Sequence, residues 1–497
     1  MTGENYDVIV IGSGPGGTAC AALLANGGLK TLLLEKNDRL GGKMMTVSRE
    51  GFEYDLWPHG QVPMRGSAFE VVFRELGVES ELMPCLSPDS PGEVVGISYR
   101  ASEWADYRSV SFAQTMQDAT PFFDLWGLDE NERANALRFL AEMVAMPPEK
   151  VDELDDVTMH DFISRYDVSY RLYSYLAFHA NASLAEPVDL VSASEQVKIM
   201  QQLARQGGGG NYKGGFGRLI DVMARVFRAR AGAVLTRARV EKIAVEDGEV
   251  TGVVTEAGEF KAPIVISSAG IQPTVLKLVG EEHFDRSYVA YIKDLVPGWG
   301  FTGAHYFLNR EVLNLPMYVT YSDDSWWNLE RFREVQAGKV PDEIILFMTI
   351  PSNYDPDMAP PGKQCLVAGT ICSPDPEAKE IRMLWDKMDE MLARLYPEAW
   401  AAVESKDYGG PAQISSSTRD SVLPGQGGEC VGLGQIVGQC GKHKPSPEAP
   451  IRGLYFVGAD AGSAGMGTHQ AADSGIKVAQ MALQRHRMRQ RDSEAAS

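Results

Sequence analysis

An α/β fold is predicted by three features of this 497-residue chain. Tyr6–Ile11 is a mostly apolar, β-branched run that reads as a buried parallel strand. A glycine turn follows, then an Ala/Leu-rich helical stretch over 16–27 and a second apolar strand, Thr31–Leu34, which completes a βαβ unit. At the far end of the chain another apolar strand, Gly453–Val457, leads through a Gly-rich turn into a closing helix.

Between these ends the pattern changes twice. From 67 to 205 helical periodicity dominates, as in Ala136–Met146 and Val191–Leu203, and strand signals are sparse. Glycine clusters at Gly207–Gly210 and Gly214–Gly217 predict a hinge or crossover, with a plain surface loop as the alternative. A helix over Arg218–Ala229 and short strands at Ala233–Thr236, Val240–Val245, Val250–Thr255 and Ile264–Ser267 read as a return to the first domain. Residues 290–420 mix strands such as Ile344–Ile350 and Cys365–Ile371 with a long helix over Pro376–Leu395. The expected architecture is a Rossmann-type nucleotide-binding domain with a mixed βαβ sheet, assembled from 1–66, 207–285 and 420–485. An interleaved α+β substrate domain with a helical portion takes 67–206 and 286–419, and a polar tail over 486–497 is expected to fray.

Charge and cysteine usage narrow the function. Lys and Arg total 47 against 67 Asp and Glu, a net charge of −20 that disfavours a phosphate backbone as partner. Six cysteines contain no CxxC pair, and only Cys440 has a nearby histidine, His443, so no metal site is predicted. Buried, reduced thiols and the lack of a leader predict a cytoplasmic protein. No uninterrupted apolar run reaches ~18 residues, which argues against a membrane span but leaves peripheral membrane contact open.

Gly12-Ser-Gly14-Pro15-Gly16-Gly17 fits G-x-G-x-x-G between strand and helix, the context its mechanism requires. Gly12 permits the turn, Gly14 brings backbone close to a pyrophosphate, and Gly17 lets helix pack on strand. Glu35, followed by Lys36, closes the second strand eighteen positions after Gly17, placed to accept from a ribose hydroxyl and to repel a 2′-phosphate. NAD and FAD share this fingerprint. The adjacent Gly41 and Gly42, with Lys43, would let backbone follow a longer cofactor and so favour FAD. In the C-terminal segment, Gly458 and Asp460 follow the last strand, with Asp460 a candidate acceptor for a ribityl hydroxyl. Met466, Gly467 and Thr468 open the closing helix, with Thr468 as its expected N-cap and the helix end facing the flavin.

With these segments read, the chain resembles the phytoene desaturase and carotenoid oxidoreductase-like family of FAD enzymes, which includes retinol saturases, within the amine-oxidase-like flavoproteins. The likeness is carried by residues 6–60 with Gly51-Phe-Glu-Tyr-Asp55, by Gly214-Gly-Phe-Gly217, by Val240-Glu-Lys-Ile243, by Asp355–Gly362, and by the stretch from Gly438 to Gly475. It implies that Val240 meets adenine through its backbone and that Gly458, Asp460, Gly467 and Thr468 line FAD. The implied reaction is hydride transfer between flavin N5 and a carbon of an apolar unsaturated or alicyclic substrate, reoxidised by oxygen or a quinone. His469, His59 and Tyr212 are the candidate side chains beside the reacting centre. Tyr306, Trp326 and Trp327 are candidates to wall a pocket, with aromatic core as the alternative. A flavin amine oxidase and, as a different class, a non-enzymatic escort of prenylated proteins are the competing functions.

Overall fold

The computed structural model describes residues 5–57, 62–63, 66–86, 92–113, 119–206, 209–465 and 467–496. Val8–Ile11 and Thr31–Leu34 are buried at every position because both faces of their sheet are covered. They pair in parallel with Ile9 opposite Leu32, joined by the helix Pro15–Asn26. Val265–Ser267 and then Leu454–Phe456 extend the sheet on one side and Ala233–Leu235 on the other. Every pairing in these five strands is parallel. Antiparallel pairing lies in a separate three-stranded sheet of Val240–Glu246, Glu249–Thr255 and Gly258–Lys261.

Alternation along the strands builds two cores. Val8, Val10 and Leu33 pack under the Pro15–Asn26, Gly217–Ala229 and Gly467–Ala496 helices, whereas Ile9, Ile11, Leu32 and Leu34 point to the opposite face. A third core lies against a seven-stranded sheet ordered Val403–Gly409, Gly300–Leu308, Gln364–Cys372, Leu346–Thr349, Met317–Ser322, Glu93–Arg100, Arg108–Ala113. Its last two strands come from the stretch read as helical. Only Val94, Ile97 and Tyr99 of Glu93–Arg100 are fully buried, too short an alternation to stand out among helices. Three further expectations change. The long helix begins at Ile381 because the Asp375 carboxylate accepts from the Glu377 N–H at 2.9 Å and holds the preceding residues in a turn. Gly209–Tyr212 is a strand held between Val62–Pro63 and Pro84–Leu86 rather than a loop. The closing helix runs to Ala496, through the segment read as a polar tail, with Arg489 3.9 Å from Glu249.

Two contacts bring the ends of the chain together. Gly16, in the first helix, and Gly475, in the closing helix, meet so closely that a Cβ at 475 would lie 2.7 Å from the Gly16 carbonyl oxygen. A Cβ at Gly16 would lie equally close, 2.7 Å, to the Ala471 carbonyl. The second contact is polar. Asp460, beyond the Leu454–Phe456 strand, accepts from the Ile271 and Leu433 N–H groups, both at 3.0 Å, and pairs with Arg419 at 2.8 Å. Burial alone would raise the Asp460 pKa, but Arg419 and the two N–H donors hold it below the usual carboxylate range. The guanidinium is itself buried, with Glu429 3.7 Å from its Nε.

A Gly475→Val substitution should destabilise the fold by about 1–3 kcal/mol in urea melts, although the helix gains propensity. Asp460→Asn leaves Arg419 buried beside one remaining carboxylate and should cost about 3 kcal/mol or more at neutral pH. Because the folded pKa of Asp460 is depressed, its contribution is complete above the ordinary carboxylate value of about 3.9 and is lost as pH falls through the lower folded value. The variant should therefore lose less stability than the parent on acidification, as followed by urea midpoints across that range.

Candidate active site

A cavity of about 980 Å³ opens where the parallel strands end, and residues just beyond four of the five line it: Gly12, Glu35, Ser268 and Gly458. Carboxyl ends of parallel strands are where such sheets bind ligands. The lining divides by chemistry into a polar arm and an apolar arm.

The polar arm holds most of the motif. Gly14, Pro15 and Gly16 line it, and the Pro15–Asn26 helix has no side-chain cap at Gly14, so its amino end is free for an anion. A Cβ at Gly14 would meet nothing nearer than Ser268 Oγ at 3.9 Å, so bare backbone lines the cavity there. Gly17 is not among the lining residues; a Cβ on it would lie 2.1 Å from the Gly12 carbonyl oxygen, so its part is close packing of the turn. Glu35 lines the cavity and is oriented by Ser13, whose N–H and Oγ–H donate to Oε2 at 3.0 and 2.6 Å. Gly41 anchors its loop by donating to the Ser13 carbonyl at 3.1 Å, while Gly42 and Lys43 reach the lining. Burial lowers the Lys43 pKa, opposed by nearby Glu429, and its Nζ donates to the Glu429 carbonyl.

Lys36 and Val240 line the same arm, as do Gly458, Asp460, Gly467 and Thr468 from the C-terminal segment. The closing helix begins at Gly467, so Thr468 stands inside the first turn and not at the N-cap. Asp460 lies in the lining, but both of its oxygens already hold Arg419 and two backbone donors. An uncapped helix end, bare backbone at Gly14, an oriented carboxylate acceptor at Glu35 and a second helix end at Gly467 form a polar set that fits an FAD.

The sequence reading missed Asp420. Its carboxylate takes Lys36 at 3.0 Å, Arg239 at 2.9 Å and Lys277 at 2.6 Å, and all four residues line the cavity. Burial would raise its pKa, but Lys277, Lys36 and Arg239 hold it well below the ordinary range. Arg419 was missed for the same reason as Asp420: its partner Asp460 lies 41 positions away, so no local spacing marks the pair. Glu429 was missed as well.

The apolar arm was not legible either. One face of the seven-stranded sheet presents Val95 opposite Met317, Ile97 opposite Val319, and Phe347 beside Val319. Tyr175, Phe178, Met200 and Leu203 close it from the helices, and Trp57 and Phe301 complete the wall.

The candidates for chemistry fare differently. Tyr212 is outside the lining, buried against Phe216 with ring centroids 5.7 Å apart. His469 is also outside it: Nδ1 accepts from the Ala68 N–H at 3.2 Å, and Nε2 lies 3.1 Å from Gln202 Nε2. Burial lowers its pKa. His59 and Met466 lie outside the described residues. Tyr306 donates to Asp389 at 2.7 Å and Trp326 to Ser174 at 2.9 Å, while Trp327 is fully buried, so these rings are core.

Comparison with known proteins agrees with this geometry. The chain is 24% identical to a lycopene-forming phytoene desaturase of Pseudescherichia vulneris over 492 residues, covering 93% of this chain and 95% of that protein. It is 24% identical to the human all-trans-retinol 13,14-reductase, covering 93% and 83% of the two chains. An oxidoreductase structure from Methanosarcina mazei superposes with a TM-score of 0.71 at 19% identity, over 95% of this chain and 99% of that one, a likeness of fold. Residues 16–483 match the model of the flavin containing amine oxidoreductases, and with FAD as its cofactor the chain belongs to that family.

Proposed function

We propose that this FAD-dependent oxidoreductase moves hydride to or from a carbon of an apolar, unsaturated or alicyclic substrate, in a desaturation, a saturation or an isomerisation. The observation that carries the reading is the distribution of charge in the cavity. Its charged lining residues among the described ones are Glu35, Lys36, Lys43, Arg239, Lys277, Arg419, Asp420 and Asp460, and they are tied to one another, to Ser13 or to the Glu429 carbonyl. The apolar arm offers aromatic and aliphatic side chains, and leaving a charged group there unpaired would cost several kcal/mol. Two relatives are named for phytoene and all-trans-retinol, which supports a mainly hydrocarbon skeleton.

FAD, when bound, supplies the two-electron chemistry. In this reading the amino end of the Pro15–Asn26 helix holds the diphosphate, Glu35 accepts from a ribose hydroxyl, and the Val240 backbone meets adenine. Gly458, Asp460, Gly467 and Thr468 flank the remainder. The helix end at Gly467 offers a positive pole to negative charge developing nearby. Trp57, Phe301 and Phe347 exclude water and orient the substrate carbon. The FAD unit is drawn from 1–66, 207–285 and 420–485, and the substrate unit from 67–206 and 286–419. An aromatic amine slot built from Tyr306, Trp326 and Trp327 gains no support, since those rings are absent from the lining.

Anaerobic mixing with polyenes, cyclic ketones and amines should bleach the oxidised FAD-loaded protein where a member of the first two classes gives hydride, and should restore the absorbance of the chemically reduced protein where a member takes it. Bleaching by amines alone would reverse the assignment. Glu35→Gln removes a charged acceptor and should weaken FAD binding about 10–100-fold, read by equilibrium titration of flavin fluorescence.

A further inference from the structure

The cavity meets solvent through both of its arms. Among the described lining residues four are exposed: Val144 and Ala204 in the apolar arm, Arg239 and Lys277 in the polar arm. The mouth of the polar arm is therefore framed by cations, and both of them fold onto the Asp420 carboxylate.

Three cations reach that carboxylate from three separate segments. Lys36 follows the Thr31–Leu34 strand, Arg239 precedes the Val240–Glu246 strand, and Lys277 belongs to a π-helical turn, Thr274–Val279. Lys36 bonds Oδ1 at 3.0 Å, Arg239 spans both oxygens at 3.0 and 2.9 Å, and Lys277 bonds Oδ2 at 2.6 Å. The segment that carries the carboxylate is itself fixed. Asn37 donates to the Ser417 carbonyl at 2.6 Å, and Arg419 pairs with the buried Asp460 at 2.8 Å.

The three cations repel one another, so the carboxylate is what gathers them across the mouth. Lys277, Lys36 and Arg239 in turn keep Asp420 ionised at neutral pH. Arg239 and Lys277 carry long, rotatable side chains into solvent, and ion pairs this open contribute little each. They can part without unfolding anything else. Lys36 is next to Glu35 in the chain and Arg239 next to Val240, the residues assigned above to ribose and adenine.

We infer that Asp420 is the latch of the cofactor site: with Lys36, Arg239 and Lys277 it closes the polar arm over the adenosine end of FAD and sets how fast the cofactor enters and leaves. The inference rests on the adenosine placement proposed above and adds a kinetic role that the placement alone does not require. A latch differs from a binding contact in its kinetics. Losing a contact speeds release and leaves entry alone, whereas losing a latch speeds both, because both pass the same closed mouth. Simple attraction between cations and the diphosphate also behaves differently, since it speeds entry and slows release.

Two variants of opposite charge change separate these cases. Release is read by mixing the FAD-loaded protein with excess isotope-labelled FAD and following the bound cofactor by mass spectrometry. Entry is read by stopped-flow flavin fluorescence as FAD meets the full-length protein freed of cofactor. Asp420→Asn should speed both steps about tenfold, although the freed cations by themselves would slow release. Lys277→Gln should speed both about threefold, although the lost positive charge by itself would slow entry. The lysine variant, altered at an exposed side chain, serves alone if the asparagine variant does not fold. Release unchanged or slowed in Asp420→Asn, or entry unchanged or slowed in Lys277→Gln, would overturn the latch while leaving the adenosine placement intact. If Glu35→Gln leaves FAD affinity unchanged, that placement fails and the latch falls with it.

Discussion

The approach of two helix backbones at Gly16 and Gly475 is the constraint on which the site depends. Each glycine sits where a Cβ would lie 2.7 Å from a backbone oxygen of the other helix. Helices can come this near only where both surfaces lack side chains at the crossing. The consequence is geometric: the glycine turn after the first strand and the turn after the last strand face one cavity, with Gly16 also within a Cβ contact of 3.2 Å from the Gly458 Cα. Asp460 then locks the arrangement electrostatically, since one carboxylate serves the Arg419 side chain and the Ile271 and Leu433 backbones together.

Charge is sorted within the cavity as strictly as shape. Three cations meet around Asp420, and a separate, buried group joins Arg419 to Asp460 and Glu429. Both groups stand on the nucleotide side. Buried ions are tolerable only when paired, and pairing them to one another fixes where the polar arm ends. The opposite wall is supplied by a pleated sheet face, where the period of two places apolar side chains from Glu93–Arg100, Met317–Ser322 and Leu346–Thr349 in register. A ligand with one polar and one hydrocarbon end has a single orientation in such a cavity.

Residue type alone is a poor guide to which side chains are free for chemistry. His469 and Tyr306 have the residue types of catalytic groups, yet their polar atoms are engaged by other parts of the fold.

By itself the sequence marked most of the residues that line the polar arm. The G-x-G-x-x-G turn, Glu35 at the end of the next strand, the double glycine and the closing Gly-rich segment are local patterns, each readable because the residues that cooperate are close in the chain. The same locality explains the accurate strands at Val8–Ile11, Thr31–Leu34 and Val265–Ser267. Only the tertiary structure decided the rest. The Asp420 cluster joins residues up to 384 positions apart. The apolar wall is assembled from strands and helices separated by hundreds of residues, and the partnering of His469 and Tyr306 depends on neighbours that folding alone supplies. Local sequence encodes the covalent chemistry and period of each segment, whereas burial and pairing are properties of whichever segments come to lie against one another.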